Sequence, residues 1–135
     1  MNNDGLKFMT SKPRTPFTQR VVALISDIPT GRVCTYGALA AAAGSPRGAR
    51  QVARILHSCS TSDGLPWHRV VGKGGRILLP GAGGSLQKQL IEMEGVMVSG
   101  TGVVDLPVYL WLPNEIDVSP FALILSFLLV LFPLK

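Results

Sequence analysis

The chain has 135 residues, a formal charge of +5 and two cysteines. That length sets one domain, with a core burying roughly two-thirds of the unfolded surface. Cys34 and Cys59 are too few for a disulfide framework, and the absence of Cys-x-x-Cys or His-x-x-x-His spacing excludes the common zinc modules.

Residues 1–14 read as a disordered lead-in, polar and without the apolar core of a secretory signal. The expected setting is a reducing cytoplasm, with both cysteines serving as small apolar side chains. Thr15-Pro16 reads as an N-cap followed by proline at the first helical position. Phe17, Val21, Leu24, Ile25 and Ile28 recur at helical spacing, predicting an amphipathic helix over 16–27 that Pro29 and Gly31 stop. Thr35 caps a second, alanine-rich helix, Tyr36 to Ala43, with Gly44 in its left-handed terminal turn. Ser45-Pro46 repeats the cap-plus-proline device and predicts a third helix over 46–58. Val52, Ile55 and Leu56 face its core, and Arg47, Arg50 and Arg54 share one solvent face. Gly48, Ala49 and Ala53 carry little bulk beside those arginines. Two helices joined by a tight glycine-containing turn fit a helix-turn-helix.

Ser58 to Leu65 reads as a polar loop. Val70-Val71 and Arg76 to Leu79 predict a hairpin across Gly72–Gly75. A fourth helix is expected over 85–94, with Ser85 as its cap and Leu86, Leu90 and Met93 on its apolar face. Neither glycine-rich stretch is followed by the Lys-Ser/Thr of a phosphate-binding loop. From Val118 to Leu134 the chain is uncharged; its dense apolar run begins at Phe121 and falls short of the roughly 20 residues that span a bilayer. That segment reads as a marginal membrane contact, a docking helix, or an extension added to a complete domain; the last is preferred.

Residues 1–113 hold 12 Lys+Arg against 6 Asp+Glu, and nine of those cations lie between Arg14 and Arg76. A merely soluble basic surface is one reading of such a cluster; polyanion binding is the other. The motifs favour the second. Thr35-Tyr36-Gly37-Ala38-Leu39-Ala40, Ser45-Pro46-Arg47-Gly48-Ala49-Arg50-Gln51-Val52, Pro66-Trp67-His68-Arg69-Val70 and Glu92-Met93-Glu94-Gly95-Val96 follow in order. Together they resemble the DNA-binding domain of the O6-alkylguanine-DNA alkyltransferases. The ending Leu106-Pro107-Val108-Tyr109-Leu110-Trp111-Leu112-Pro113 is similar to that of the alkyltransferase-like subgroup.

The resemblance implies a mostly α fold with a small β hairpin, a winged-helix-like helix-turn-helix over 15–113, and 114–135 as an apolar extension. The motif's cysteine position holds Trp67, whose indole has no thiolate form and cannot take up an alkyl group. The implied protein is therefore not an enzyme and needs no cofactor or metal. It binds duplex DNA containing O6-alkylguanine, flips the lesion and hands it to nucleotide excision repair proteins. Arg50 matches the family's arginine finger, and Tyr36 the tyrosine that displaces the 3′ phosphate. Arg47, Gly48, Ala49, Ala53 and Arg54 complete the DNA-binding face. Trp67 and Val70, with Tyr36, make the lesion pocket, Trp67 either lining it or filling it. His68, Arg69 and Glu94 support its wall. Two alternatives stand beside this one: a residual alkyltransferase using Cys59 or Cys34, and a plain helix-turn-helix regulator.

Overall fold

The computed structural model describes residues 13–113. The elements run α1 (Pro16–Asp27), β1 (Cys34–Thr35), α2 (Tyr36–Ala42), α3 (Ala49–Asp63), a 3-10 turn (Trp67–Arg69), β2 (Val70–Val71), a second 3-10 turn (Lys73–Gly75), α4 (Gly81–Met93) and α5 (Leu106–Tyr109). The domain is thus mostly helical with a small two-stranded sheet. Candidate tail contacts at 118–134 lie outside the described residues, as does the lead-in before Pro13. Among the described residues no helix is long and apolar enough to cross a membrane.

Helix α1 begins where its sequence demands. The Thr15 side chain accepts from the Thr18 N–H at 3.2 Å, and Pro16 occupies the first turn, where its missing donor costs nothing. Val21 and Ile25 turn fully inward. Thr35 caps α2 in the same way, accepting from the Ala38 N–H at 3.1 Å. At the other end of α2, Gly44 takes φ +101°, and Arg20 Nε donates to the Ala43 carbonyl at 2.8 Å, placing a cation on the helix's negative end.

The third helix departs from expectation at both ends. It starts at Ala49, because the Gly48 N–H donates back to the Ser45 carbonyl at 2.8 Å and closes a turn first. Arg47 therefore precedes the helix. At the far end the serine-rich segment, expected as a loop, stays helical to Asp63. Ser58 Oγ donates to the Arg54 carbonyl at 2.9 Å, and Ser60 Oγ to that of Leu56, so the hydroxyls are satisfied inside the helix. Arg14 then clamps Asp63 with two bonds of 2.7 and 2.5 Å. This ties Arg14, expected in the lead-in, to the domain.

The expected hairpin does not form. Val70–Val71 pairs in parallel with Cys34–Thr35 instead. Gly72 N–H still reaches the Arg76 carbonyl at 2.7 Å, but Arg76 bridges to Val103. On its other side, the β1 region pairs Val33 with Leu110, so distant segments converge on one short strand. Helix α4 begins four residues early. Gly84 allows this: a Cβ there would stand 2.2 Å from the Leu79 carbonyl oxygen. Ser85 consequently lies past the first turn, where its Oγ donates to the Gly81 carbonyl at 3.3 Å and does not cap the helix. The buried face of α4 is Gly84, Gln87 and Ile91, whereas Leu86 and Met93 are 46% and 82% exposed.

Two cores result. The larger joins α1, α2 and α3 with Leu65 and Val70; the smaller gathers Val33, Val71, Ile91, Val96 and Val104.

Candidate nucleic-acid interface and pocket

Two adjoining cavities open beside α3. The first, about 550 Å³, is walled by Tyr36, Leu56, Leu65, Trp67 and Leu79, with Ala53, His57, Ser60, Thr61 and Gly64 along its helical side. Both volumes fall in the range of about 300–1,000 Å³ typical of ligand pockets. The second, about 780 Å³, shares Tyr36, Ala53 and Leu79 and adds Ala49, Arg50, Lys73 and Leu78. Tyr36 stands between them at the start of α2; burial raises its phenol above the ordinary pKa, keeping it a neutral hydrogen-bond donor. Trp67 packs on the larger core with its ring edge-on to His68, centroids 6.2 Å apart. The indole does not close the cavity beside it.

The predicted site residues separate into groups. Arg50 and Ala53 are exposed on α3; both line the second cavity with Ala49, and Ala53 lines the first as well. Arg54, also exposed, faces a different hollow beside α1, with Gln51 and Thr18. Arg47 is exposed in the turn before α3. Gly48 is buried, and a Cβ on it would meet Ser45 and Phe17 at 3.1–3.2 Å; its smallness serves that turn. Val70 does not line either cavity. Its side chain is wholly buried, its N–H donates to the Trp67 carbonyl, and its carbonyl accepts from Gln87.

Behind Trp67 a charged cluster fixes the backbone. Glu94 accepts from His68 Nε2 at 2.6 Å, from Arg69 at 2.9–3.1 Å and from the Gly31 N–H at 2.9 Å. Arg69 also donates to the Ile28 carbonyl and to Thr30 Oγ1. Burial opposes the charge on Glu94, but the bonds from Arg69, Gly31 and His68 outweigh it and hold the carboxyl at about 2. One carboxylate thus joins the end of α1, the Trp67 turn and the end of α4.

Neither cysteine lines the cavities. Cys34 is fully buried, and burial pushes its thiol up to about 11; Cys59 is buried in the core face of α3. Among the described residues no group of three metal-ligating side chains occurs.

Residues 16–96 match the family model for the 6-O-methylguanine DNA methyltransferase DNA-binding domain. A DNA base-flipping protein of Escherichia coli K12 is 50% identical over 95 residues, covering 70% of this chain and 74% of the relative. Alkyltransferase-like protein 1 of Schizosaccharomyces pombe is 36% identical, covering 72% and 95%. The chain belongs to the alkyltransferase-like family. The fold agrees with a solved member: S. pombe Atl1, in complex with damaged DNA containing O6-carboxymethylguanine, superposes with a TM-score of 0.63 at 34% identity. The match covers 76% of this chain and all of that one.

Sequence reasoning missed three parts of this family member's site. Gln87, only 2% exposed, donates from Nε2 to the His68 and Val70 carbonyls at 3.2 and 2.8 Å. A glutamine inside an apolar periodicity was the available signal. His57 and Thr61 line the cavity from a stretch that reads as solvent face and loop. Nothing local marks them, because the opposite wall comes from residues after Gly64.

Proposed function

We propose that the protein is a non-enzymatic sensor of DNA damage that extracts an O6-alkylguanine from duplex DNA and holds it between Tyr36 and Trp67. The observation that carries this reading is the cavity walled by Tyr36 and Trp67, which adjoins, across Tyr36 and Ala53, the cavity lined by Arg50. A lesion base is unreadable while stacked, so it must leave the helix. Unstacking costs a few kcal/mol. An aromatic platform returns about 1–3 kcal/mol per base without regard to sequence. Arg50 is long, planar and exposed, suited to fill the gap in the duplex; the flanking Ala49 and Ala53 let the helix approach.

Trp67 occupies the place of the transferases' nucleophile, and the two thiols present are buried away from the cavity. Retention of the lesion, without its chemistry, is the outcome. Residues 15–113 then act as the DNA-binding domain, and the held lesion is presented to nucleotide excision repair. The relative named as a base-flipping protein and the Atl1 complex with damaged DNA support this reading.

The test is a binding titration of matched duplexes carrying guanine or O6-methylguanine. Tighter binding of the methylated duplex is expected, with affinity falling steeply with salt. Arg50→Ala should lose at least tenfold on the lesion duplex. Equal affinity for the two duplexes rejects the proposal. So does a protein mass increased by one methylene after incubation.

A further inference from the structure

We propose that the far end of the Tyr36–Trp67 cavity selects adducts whose O6 substituent ends in an oxygen, hydroxyethyl or carboxymethyl, and that His57 and Thr61 read that oxygen. This rests on the lesion reading above. The cavity is chemically two-ended. Tyr36 and Ala53 stand where it meets the groove of Arg50. At ~1.5 Å per residue, His57 lies about 6 Å and Thr61 about 12 Å along the helix from Ala53, so the two line the cavity wall leading away from Arg50. A guanine entering from the duplex is tethered through its sugar, on the edge opposite O6. Its O6 substituent therefore leads, and arrives between these two side chains.

His57 and Thr61 are both exposed, so their polar atoms face water in the cavity. Ser60 on the same wall spends its hydroxyl hydrogen on the Leu56 carbonyl. The His57 ring and the Thr61 hydroxyl have no hydrogen-bond partner among the described residues, although the neighbouring serines of α3 do. A neutral imidazole offers one donor and one acceptor, and a hydroxyl offers both. An apolar tip of equal length displaces their water and returns nothing, whereas an oxygen tip restores the bond. The remaining walls, Leu56, Leu65 and Trp67, hold the apolar part of either adduct equally.

The experiment uses the full chain and four duplexes: guanine, O6-methylguanine, O6-(2-hydroxyethyl)guanine and O6-propylguanine, the last two matched in heavy atoms. The wild type should favour hydroxyethyl over propyl by about fivefold, one ordinary hydrogen bond. His57→Leu with Thr61→Val should bring that ratio to about one, while His57→Gln with Thr61→Ser should retain it. A wild-type ratio of one, or one favouring propyl, overturns the proposal, as does a leucine–valine variant with the wild-type ratio. The wild-type comparison decides even if a variant fails to fold. If O6-methylguanine itself is bound no better than guanine, the lesion reading falls as well. If it is bound better and only the hydroxyethyl preference is missing, this inference falls alone.

Discussion

The two halves of the domain are held together by different physics. In the helix-turn-helix half, three helices, two of them capped by threonine, bury Val21, Ile25, Leu39 and Val52 in an apolar core. In the half after Leu65, outside helices α4 and α5, secondary structure shrinks to one two-residue strand, 3-10 turns and isolated bridges, and polar groups work beside a smaller apolar core. There the backbone hangs on Gln87 and on the Glu94 cluster. Packing alone can define a helix pair. A segment without its own ladder needs partners that name individual carbonyls, and only hydrogen bonds do that. The cavity sits on the seam: one wall is the apolar-cored helix α3, the other is the Trp67 turn positioned by polar groups.

This contrast makes the halves separable by mutation. The largest stability loss is expected in the apolar half. Ile25→Ala should cost about 3 kcal/mol in urea denaturation, from lost transfer energy and a residual cavity. Its affinity for a lesion duplex, measured well below the midpoint, should stay near wild type. A smaller stability loss with a marked fall in affinity would erase the distinction.

Glu94→Ala should cost about 2 kcal/mol. That is less than a fully buried pair, since the cluster keeps some contact with water, yet it leaves Arg69 and His68 without their acceptor. Here affinity should fall with stability, because the Trp67 turn loosens. The same residue sets an acid limb. The folded carboxyl lies at about 2, below the ordinary 4.5, so its contribution is complete above pH 4.5 and is lost as pH falls towards 2. Glu94→Gln should show a shallower decline in denaturation midpoint across that window; an unchanged slope would show that the carboxylate is not the group responsible.

Gln87→Leu keeps the volume and removes the donors, leaving the His68 and Val70 carbonyls with one partner fewer. A loss of about 1–2 kcal/mol follows, again with weaker lesion binding. A leucine variant as stable as wild type would mean that apolar packing suffices in this half too. The smallest effect is expected at Thr35→Ala. Loss of the α2 cap should cost about 1 kcal/mol in the same denaturation experiment, and a cost above 2 would point to a second role for that hydroxyl in β1.

Helices α1 and α2 were legible in the sequence because their signals are local: a threonine cap, apolar residues three and four apart, a stopping proline or glycine. The four ordered motifs likewise identified the family before any geometry. Locality also explains the errors. Gly48 reads as a place for a partner's close approach until Phe17, thirty-one positions earlier, is seen against it. Leu86 and Met93 read as a core face because their spacing is helical, yet their helix buries Gln87 to serve carbonyls that sequence order separates from it.

The sequence by itself determined the helical framework and the absence of a thiol at Trp67, each a property of residue types at short range. Tertiary structure alone decided that Val70–Val71 joins Cys34–Thr35, that Glu94 ties three segments to one carboxylate, and that His57 and Thr61 share a cavity with Trp67. Those outcomes depend on backbone groups finding partners many residues away, and a carbonyl carries no mark in the sequence of the donor that will satisfy it.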